Sequence, residues 1–260
     1  MSLLHKKSKL KTFVISTALC GGIGYAVSYW INPIWKTEAE ITQPALSQLG
    51  NYYSLSSMYH LMKGQDKADE KIPNEVYQNF TEQLVSYDNL KNFWENSAYY
   101  QQKINGDTKE KVPLLNELIE ETHFQPINNK SGKITLRLNE ADQLGTLFSS
   151  LIDNANALTQ KHLYDELIIQ WKNLFTQVKT AAQFNLNNGN NAGNQDWQEK
   201  LNMMKSVSPL DEQFTAFHFI KSPQEVQPQG RKSWAIIGAG IGFLFGLFSI
   251  FFRRNPKTSE

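Results

Sequence analysis

Residues 140–184 read EADQLGTLFSSLIDNANALTQKHLYDELIIQWKNLFTQVKTAAQF, and the fold turns on how this stretch is read. It holds no proline, and Gly145 is its one breaker. Leu144, Leu151 and Leu158 stand seven apart, as do Leu167, Leu174 and Ala181. The pattern predicts a helix over about 140–184. The two leucine series are out of register by two residues, which argues against one uninterrupted coiled-coil seam. About 45 residues of helix reach ~68 Å at ~1.5 Å per residue, far more than a compact domain requires. Such a helix must lean on its own return limb or on copies of itself.

Moving outward, the asparagine-rich segment 185–195 has too few apolar residues to bury a core and reads as a tip or turn. A short helix from Asp196 to Ser206 makes the return. Upstream, Ser131-Gly132 opens a strand in which Ile134, Leu136 and Leu138 alternate with polar residues. Three helices are expected before it. One begins at Pro44 and runs to about Met62, with Leu46, Leu49, Tyr53 and Met58 near one stripe. After a charged loop at Lys63–Lys71, the second follows Pro73 with Val76, Phe80, Leu84, Tyr87 and Phe93. The third begins near Pro113 with Leu114, Leu115, Leu118 and Ile119. Short strands are expected at Thr37–Gln43, with Ala39 and Ile41 on one face, and at Thr215–Ile220. Ser222-Pro223, Pro228 and Gly230 then form a stiff connector.

At the ends lie two apolar runs, Thr12–Trp35 with 24 residues and Trp234–Phe252 with 19, neither holding Asp, Glu, Lys, Arg or His. Each is long enough for a bilayer core of ~30 Å. Lys6, Lys7, Lys9 and Lys11 precede the first; Arg253, Arg254 and Lys257 follow the second. Basic flanks on one side place both termini in the cytoplasm. Residues 36–230 hold 17 bases and 24 acids, a net charge of −7, and read as external. A cleaved signal peptide also fits a basic start and an apolar run. The length of the run and its bulky end at Tyr29, Trp30, Ile31 and Trp35 favour an uncleaved anchor.

The expected fold class is therefore an α+β membrane protein. Its plan is a cytoplasmic tail at 1–11, transmembrane helices at 12–35 and 234–252, and a second tail at 253–260. Between the spans, 36–230 forms a periplasmic domain with a small membrane-proximal α/β base and a long helical arm. Gly238, Gly242 and Gly246 make small-xxx-small steps, as do Ala18, Gly22 and Ala26. Such stripes let helices pack at close range, within one chain or between copies.

Composition narrows the function. Against 26 Lys and Arg stand 25 Asp and Glu, a formal net charge of +1, which excludes nucleic-acid binding through bulk charge. Mean hydropathy is −0.46 despite the apolar runs; 23 Asn and 19 Gln supply much of the polarity. Cys20 is the lone cysteine, so no intrachain disulfide or thiolate cluster can form. His5, His60, His123, His162 and His218 are scattered, with no pair at helical i, i+4 spacing. The adjacent pairs Glu120-Glu121, Asp165-Glu166 and Asp211-Glu212 point apart on a helix and read as solvated faces. No nucleophile elbow, zinc-protease helix or nucleotide loop is present. The expectation is a non-catalytic scaffold with no cofactor and no metal.

The segment Trp35-Lys36-Thr37-Glu38-Ala39-Glu40-Ile41-Thr42-Gln43-Pro44, together with Phe217-His218-Phe219-Ile220-Lys221-Ser222-Pro223, resembles the polysaccharide co-polymerases. These are the Wzz-type chain-length determinants of bacterial surface glycans. The resemblance implies an inner-membrane protein with two spans that assembles into a ring-like homo-oligomer. It would set the modal length of O-antigen or enterobacterial common antigen made on a lipid carrier by an integral-membrane polymerase. It also marks Thr42, Gln43, Pro44 and Pro223 as structural motif positions. The chain departs from the pattern in a thin proline content before the second run and in a short external segment. An adaptor that merely holds another membrane protein is the alternative.

Overall fold

The computed structural model describes residues 2–30, 34–65, 71–106, 109–184, 197–226 and 231–252. It divides into two compact units. One is built from 37–137 and 142–225; the other contains the two terminal helices.

In the first unit, strand β1 (Trp35–Thr42) leads into a 3-10 turn at Leu46–Leu49 and helix α2 (Gly50–Met62); α1 is the N-terminal helix described below. Then come α3 (Lys71–Val85), α4 (Tyr87–Asn96), α5 (Ala98–Ile104) and α6 (Lys111–Glu120). The hairpin β2 (Thr122–Asn128) and β3 (Ser131–Leu138) precedes the long helix α7 (Leu144–Gln183), the return helix α8 (Trp197–Lys205) and strand β4 (His218–Val226). The described chain is mainly helical, with one four-stranded sheet ordered β2-β3-β1-β4.

Helix α7 is continuous over 40 residues, about 60 Å at ~1.5 Å per residue. Its buried side chains run Leu144, Phe148, Leu151, Ala155, Thr159, Leu163 and Leu167. From Leu151 to Leu167 every step is four residues, which adds the two residues separating the leucine series. Each four-residue step advances about 40° past a full turn, so the stripe winds round the helix rather than keeping to one supercoil seam. It continues to Val178, which joins Met62 of α2 with Leu201 and Met204 of α8 in one buried cluster. Trp171, Leu174 and Phe175 pack against that cluster. The long helix therefore rests on its own return limb.

Several expected elements have other boundaries. Pro44 is buried ahead of the 3-10 turn and starts no α-helix. The buried face of α2 is Tyr52, Leu55, Tyr59 and Met62, while Tyr53 and Met58 are half-buried. The helix expected to run from Pro73 past Phe93 is two helices. Ser86 between them is extended, with φ −60° and ψ 125°. Ser97 makes a second break, its Oγ accepting from Tyr100 N at 3.1 Å and donating to Trp94 O at 2.7 Å. Helix α7 begins at Leu144. The asparagine-rich tip, Pro228 and Gly230 lie outside the described residues.

In the sheet, β2 and β3 pair antiparallel from Thr122↔Leu136 to Asn128↔Ser131, with an irregularity between Pro126 and Asn128. Lys130 N donates to Asn128 Oδ1 at 2.8 Å, the short-range bond that closes the turn. Ala39, Ile41, Ile134 and Leu136 are fully buried. The largest fully buried side chains are Trp94, Phe80 and Phe148.

The second unit pairs α1 (Ser2–Val27) with α9 (Arg231–Phe252). Here the expected α+β membrane protein with two transmembrane helices does not hold. Among the described residues, no helix is long and apolar enough to cross a membrane. Helix α1 stops at Val27. Its uncharged part is 12–27, about 24 Å at ~1.5 Å per residue and short of a ~30 Å core. Helix α9 opens on Arg231 and Lys232 and interleaves Gly238, Gly240 and Gly242, which add little apolar surface.

The core leads to two expected outcomes. Phe148→Ala, at a fully buried site, lowers unfolding stability by about 3–5 kcal/mol. Ile169→Ala, at an exposed site on the same helix, shifts it by about 0.5 kcal/mol or less. Urea unfolding followed by circular dichroism measures both.

Tyr77 is buried, its hydroxyl has no hydrogen-bond partner, and burial pushes its pKa up to about 12. A raised phenol pKa leaves stability intact below the unfolded value near 10 and removes it as pH rises towards 12. Tyr77→Phe should flatten the loss of stability between pH 10 and 12 by about one proton. At pH 7 the same change should be neutral or stabilising by about 1 kcal/mol, because an unmade hydrogen bond is deleted. Denaturant titrations at several pH values would read both effects.

Candidate functional site

The residues marked by sequence fall into three places, the end of β1, the edge strand β4 and the α1–α9 pair, and each is held by distinct physics. Thr42, Gln43 and Pro44 form the corner where β1 leaves the sheet. Thr42 Oγ1 donates to Lys130 O at 2.8 Å, and Gln43 N donates to the same carbonyl at 2.9 Å. The corner is thereby tied to the turn of the β2–β3 hairpin. Pro44 is buried and has no N–H to leave unpaired. The side-chain Oε1 of Gln43 is buried with no hydrogen-bond partner.

Sequence reasoning missed what completes this corner. Gln48 Oε1 accepts from Ala45 N at 2.9 Å, while Gln48 O accepts from Thr215 N at 2.8 Å. At the start of α2, Asn51 N donates to both oxygens of Asp211 at 3.3 Å, and Asn51 Nδ2 donates to Pro209 O at 2.9 Å. A carboxylate at a helix N-terminus satisfies amides that the helix leaves open. From α7, Asn156 grips the same returning chain twice. Its Nδ2 donates to Phe214 O at 3.2 Å, and its Oδ1 accepts from Ala216 N at 2.8 Å. Tyr164 OH donates to Asp211 O at 2.9 Å. Isolated Gln, Asn and Asp residues carry no spacing signal, so a pattern search cannot find them.

Three rings fill the space between these bonds. Tyr52 and Tyr164 stack at 5.9 Å, and Phe214 meets each edge-on at 5.6 and 5.5 Å. Burial, then the negative charges of Glu75 and Glu166, drive the Tyr52 hydroxyl well above its ordinary pKa. Burial likewise raises Tyr164. Both phenols are neutral, so they serve as hydrogen-bonding and packing groups.

Pro223 lies exposed in β4, the edge strand, where a missing N–H costs no ladder bond. In the helix pair, α1 meets α9 at Gly238 and Gly242. A Cβ on Gly238 would sit 2.5 Å from Cys20 O and 3.1 Å from Gly24 Cα; one on Gly242 would sit 2.7 Å from Ser16 O. Ser16 Oγ also donates to Gly242 O at 3.3 Å. Ala18, Gly22 and Ala26 are exposed, and nothing lies within 4 Å of a Cβ built on Gly22. Ala18 lines a shallow apolar groove of about 500 Å³ with Gly21, Ala235 and Ala239. Gly246 is in α9, and its surroundings lie outside the described residues. Among the described residues, no three His, Cys, Asp or Glu side chains converge to hold a metal ion.

The fold recurs in proteins of known structure. Over 99 % of its length the chain superimposes on a full-length bacterial polysaccharide co-polymerase, covering 99 % of that protein at 14 % identity with a TM-score of 0.55. It shares the co-polymerase fold. A fragment of the polysaccharide co-polymerase WzzB from Salmonella Typhimurium matches 74 % of the chain and 96 % of the fragment, at 11 % identity and a TM-score of 0.52. In sequence, the chain is similar to the ECA polysaccharide chain length modulation proteins of Salmonella typhimurium and Escherichia coli K12. The identities are 28 % and 27 % over 173 residues, which cover 62 % of this chain and 48 % of each relative. The chain thus aligns with about half the length of the curated relatives it matches. No protein-family model matches it. The resemblance read from Trp35–Pro44 and Phe217–Pro223 accordingly has support in both sequence and fold.

The corner generates a paired test. Gly50 (φ +52°) and Gly64 (φ +68°) both adopt left-handed backbone. A Cβ on Gly50 would collide with Gln213 O and the Asp211 carboxylate, whereas one on Gly64 meets nothing within 4 Å. Gly64→Ala should cost about 1–2 kcal/mol for the backbone alone. Gly50→Ala should cost more by at least about 1 kcal/mol, because the returning chain must move as well. Equal losses in chemical denaturation would show that the corner has slack.

Proposed function

We propose that the chain regulates the modal length of a lipid-linked surface polysaccharide, O-antigen or enterobacterial common antigen, without catalysing a reaction itself. It acts as a homo-oligomeric scaffold beside an integral-membrane polymerase at the bacterial inner membrane, with residues 36–230 on the periplasmic side. The observation that carries this reading is the coincidence of the co-polymerase fold across 99 % of the chain with sequence similarity to ECA chain length modulators. Two features of the molecule support it. Hydrogen bonds, among them those of the Asp211 carboxylate, and stacked rings hold the marked corner, the construction of a rigid framework rather than a reaction centre. The rings at that corner are packed to define shape, with phenols kept neutral by burial.

On this reading Thr42, Gln43 and Pro44 fix the corner from which the scaffold is built, and Pro223 removes one backbone donor from the edge strand β4. Gly238 and Gly242 pack helices within one chain. Ala18, Gly22 and Ala26, exposed on α1, are the positions where a helix of a neighbouring copy can approach closely. Length control then follows from how long the assembly keeps the growing glycan with its polymerase.

The test is the ladder of surface polysaccharide lengths on a gel, in cells with and without the chain. A modal cluster that spreads into a monotonic distribution on deletion, and returns on complementation, is the expected result. An unchanged ladder for every surface glycan would overturn it and leave a generic inner-membrane adaptor.

A further inference from the structure

Helix α4 and helix α7 enclose a cleft of about 420 Å³ that none of the marked residues uses. Its volume lies in the ~300–1,000 Å³ range of small-molecule sites. On α4 the lining residues Asn89, Asn92, Phe93 and Asn96 recur at helical spacing and share one face. Facing them on α7 are Ser150 and Asn154, with Leu147 and Leu158 at either end. No lining side chain is ionisable. The wall is an amide-rich surface around a half-buried aromatic ring.

Bonds within the walls occupy some of these groups and leave others available. Asn89 Nδ2 is spent on Gln83 O at 3.1 Å and Gln83 Oε1 at 2.7 Å, and Asn96 Nδ2 on Asn92 O at 2.7 Å. Their side-chain carbonyls remain as oriented acceptors. Among the described residues, the side chains of Asn92, Ser150 and Asn154 make no hydrogen bond, although Asn154 is half-buried. A carboxamide offers one acceptor and two donors in a plane, so it can accept from one hydroxyl and donate to its neighbour. Vicinal hydroxyls of a pyranose present that pair. The C–H face of the sugar ring needs an apolar platform, which Phe93 and Leu158 supply. A carboxylate or phosphate ligand would need a cationic partner, and the lining has none.

We propose that the α4–α7 cleft binds a neutral pyranose segment of a polysaccharide, with Asn92 and Asn154 holding the ring hydroxyls and Phe93 beneath the ring. The inference deepens the proposed function by assigning the chain a direct glycan contact, and it rests on that reading for its ligand class.

The full chain is titrated with three neutral probes, maltotriose, cellotriose and the N-acetylglucosamine trimer, and followed by saturation-transfer NMR and calorimetry. At least one is expected to bind. Asn92→Ala and Asn154→Ala should each weaken that binding about tenfold, the loss of one well-made hydrogen bond. Asn202→Ala, on the exposed face of α8, should leave binding unchanged. Unfolding curves of all three variants confirm that the fold is intact. Failure of all three probes overturns the proposal, as does undiminished binding by both cleft variants. The two readings fail separately. No binding beside a chain-dependent gel ladder removes the cleft and keeps length regulation. Sugar binding at the cleft beside an unaffected ladder removes length regulation and keeps the glycan site.

Discussion

A helix of 40 residues cannot stand alone in water, because nucleation and propagation leave most of its stability to the burial of one face. That constraint organises the main unit. Near the start of α7, Leu144, Phe148, Leu151 and Ile152 are buried, and α7 packs along α3. At the far end Val178 is covered by α8 and the last turn of α2. Between them the chain returning from α8 is drawn onto the middle of α7 by Asn156 and Tyr164. Without this return the lower half of the helix would lose both cover and register.

Apolar burial and polar pinning divide the labour. Burying a large side chain is non-directional, and a helix can slide or rotate at little cost if area alone holds it. The bonds from Asn156 to Phe214 and Ala216, from Gln48 to Thr215, and from Asp211 to Asn51 are directional and set the register. The stacked Tyr52 and Tyr164 rings make the same junction stiff.

How much of this was legible depends on the type of signal. The strands at 35–42 and 131–138, the helix at 111–120 and the long helix all show hydrophobic periodicity, and all were readable to within a few residues. Strand β2 was missed because Pro126 interrupts it and most of its side chains face solvent, so no alternation exists to detect. The breaks at Ser86 and Ser97 are single serines in extended backbone, invisible to a pattern that stays apolar on both sides. The face of α2 was misplaced because tyrosine and methionine score alike at adjacent positions, and only the stack with Tyr164 selects Tyr52. The first expected transmembrane helix failed on termination: lack of charge continues to Trp35, but helical backbone in α1 ends at Val27. Helix α9, in contrast, covers its expected range and is diluted by glycines.

By itself the sequence determined the near-zero net charge of the chain, the long helix, the strand-to-turn segment ending in Thr42-Gln43-Pro44, and thereby the resemblance to the co-polymerases. These are properties of composition and local spacing, which the chain carries whether or not it is folded. Only the tertiary structure decided which limb supports the long helix, where the serines divide the helical layer, and which lone Asn, Gln and Asp side chains pin the returning chain. It also brought the asparagines of α4 opposite Ser150 and Asn154 across a shared cleft. The reason is geometric. A single polar side chain has no periodicity, and its partner here lies some sixty residues away in the chain for Asn156 and about 160 for Asn51. Such pairings exist only once burial has closed the distance between them.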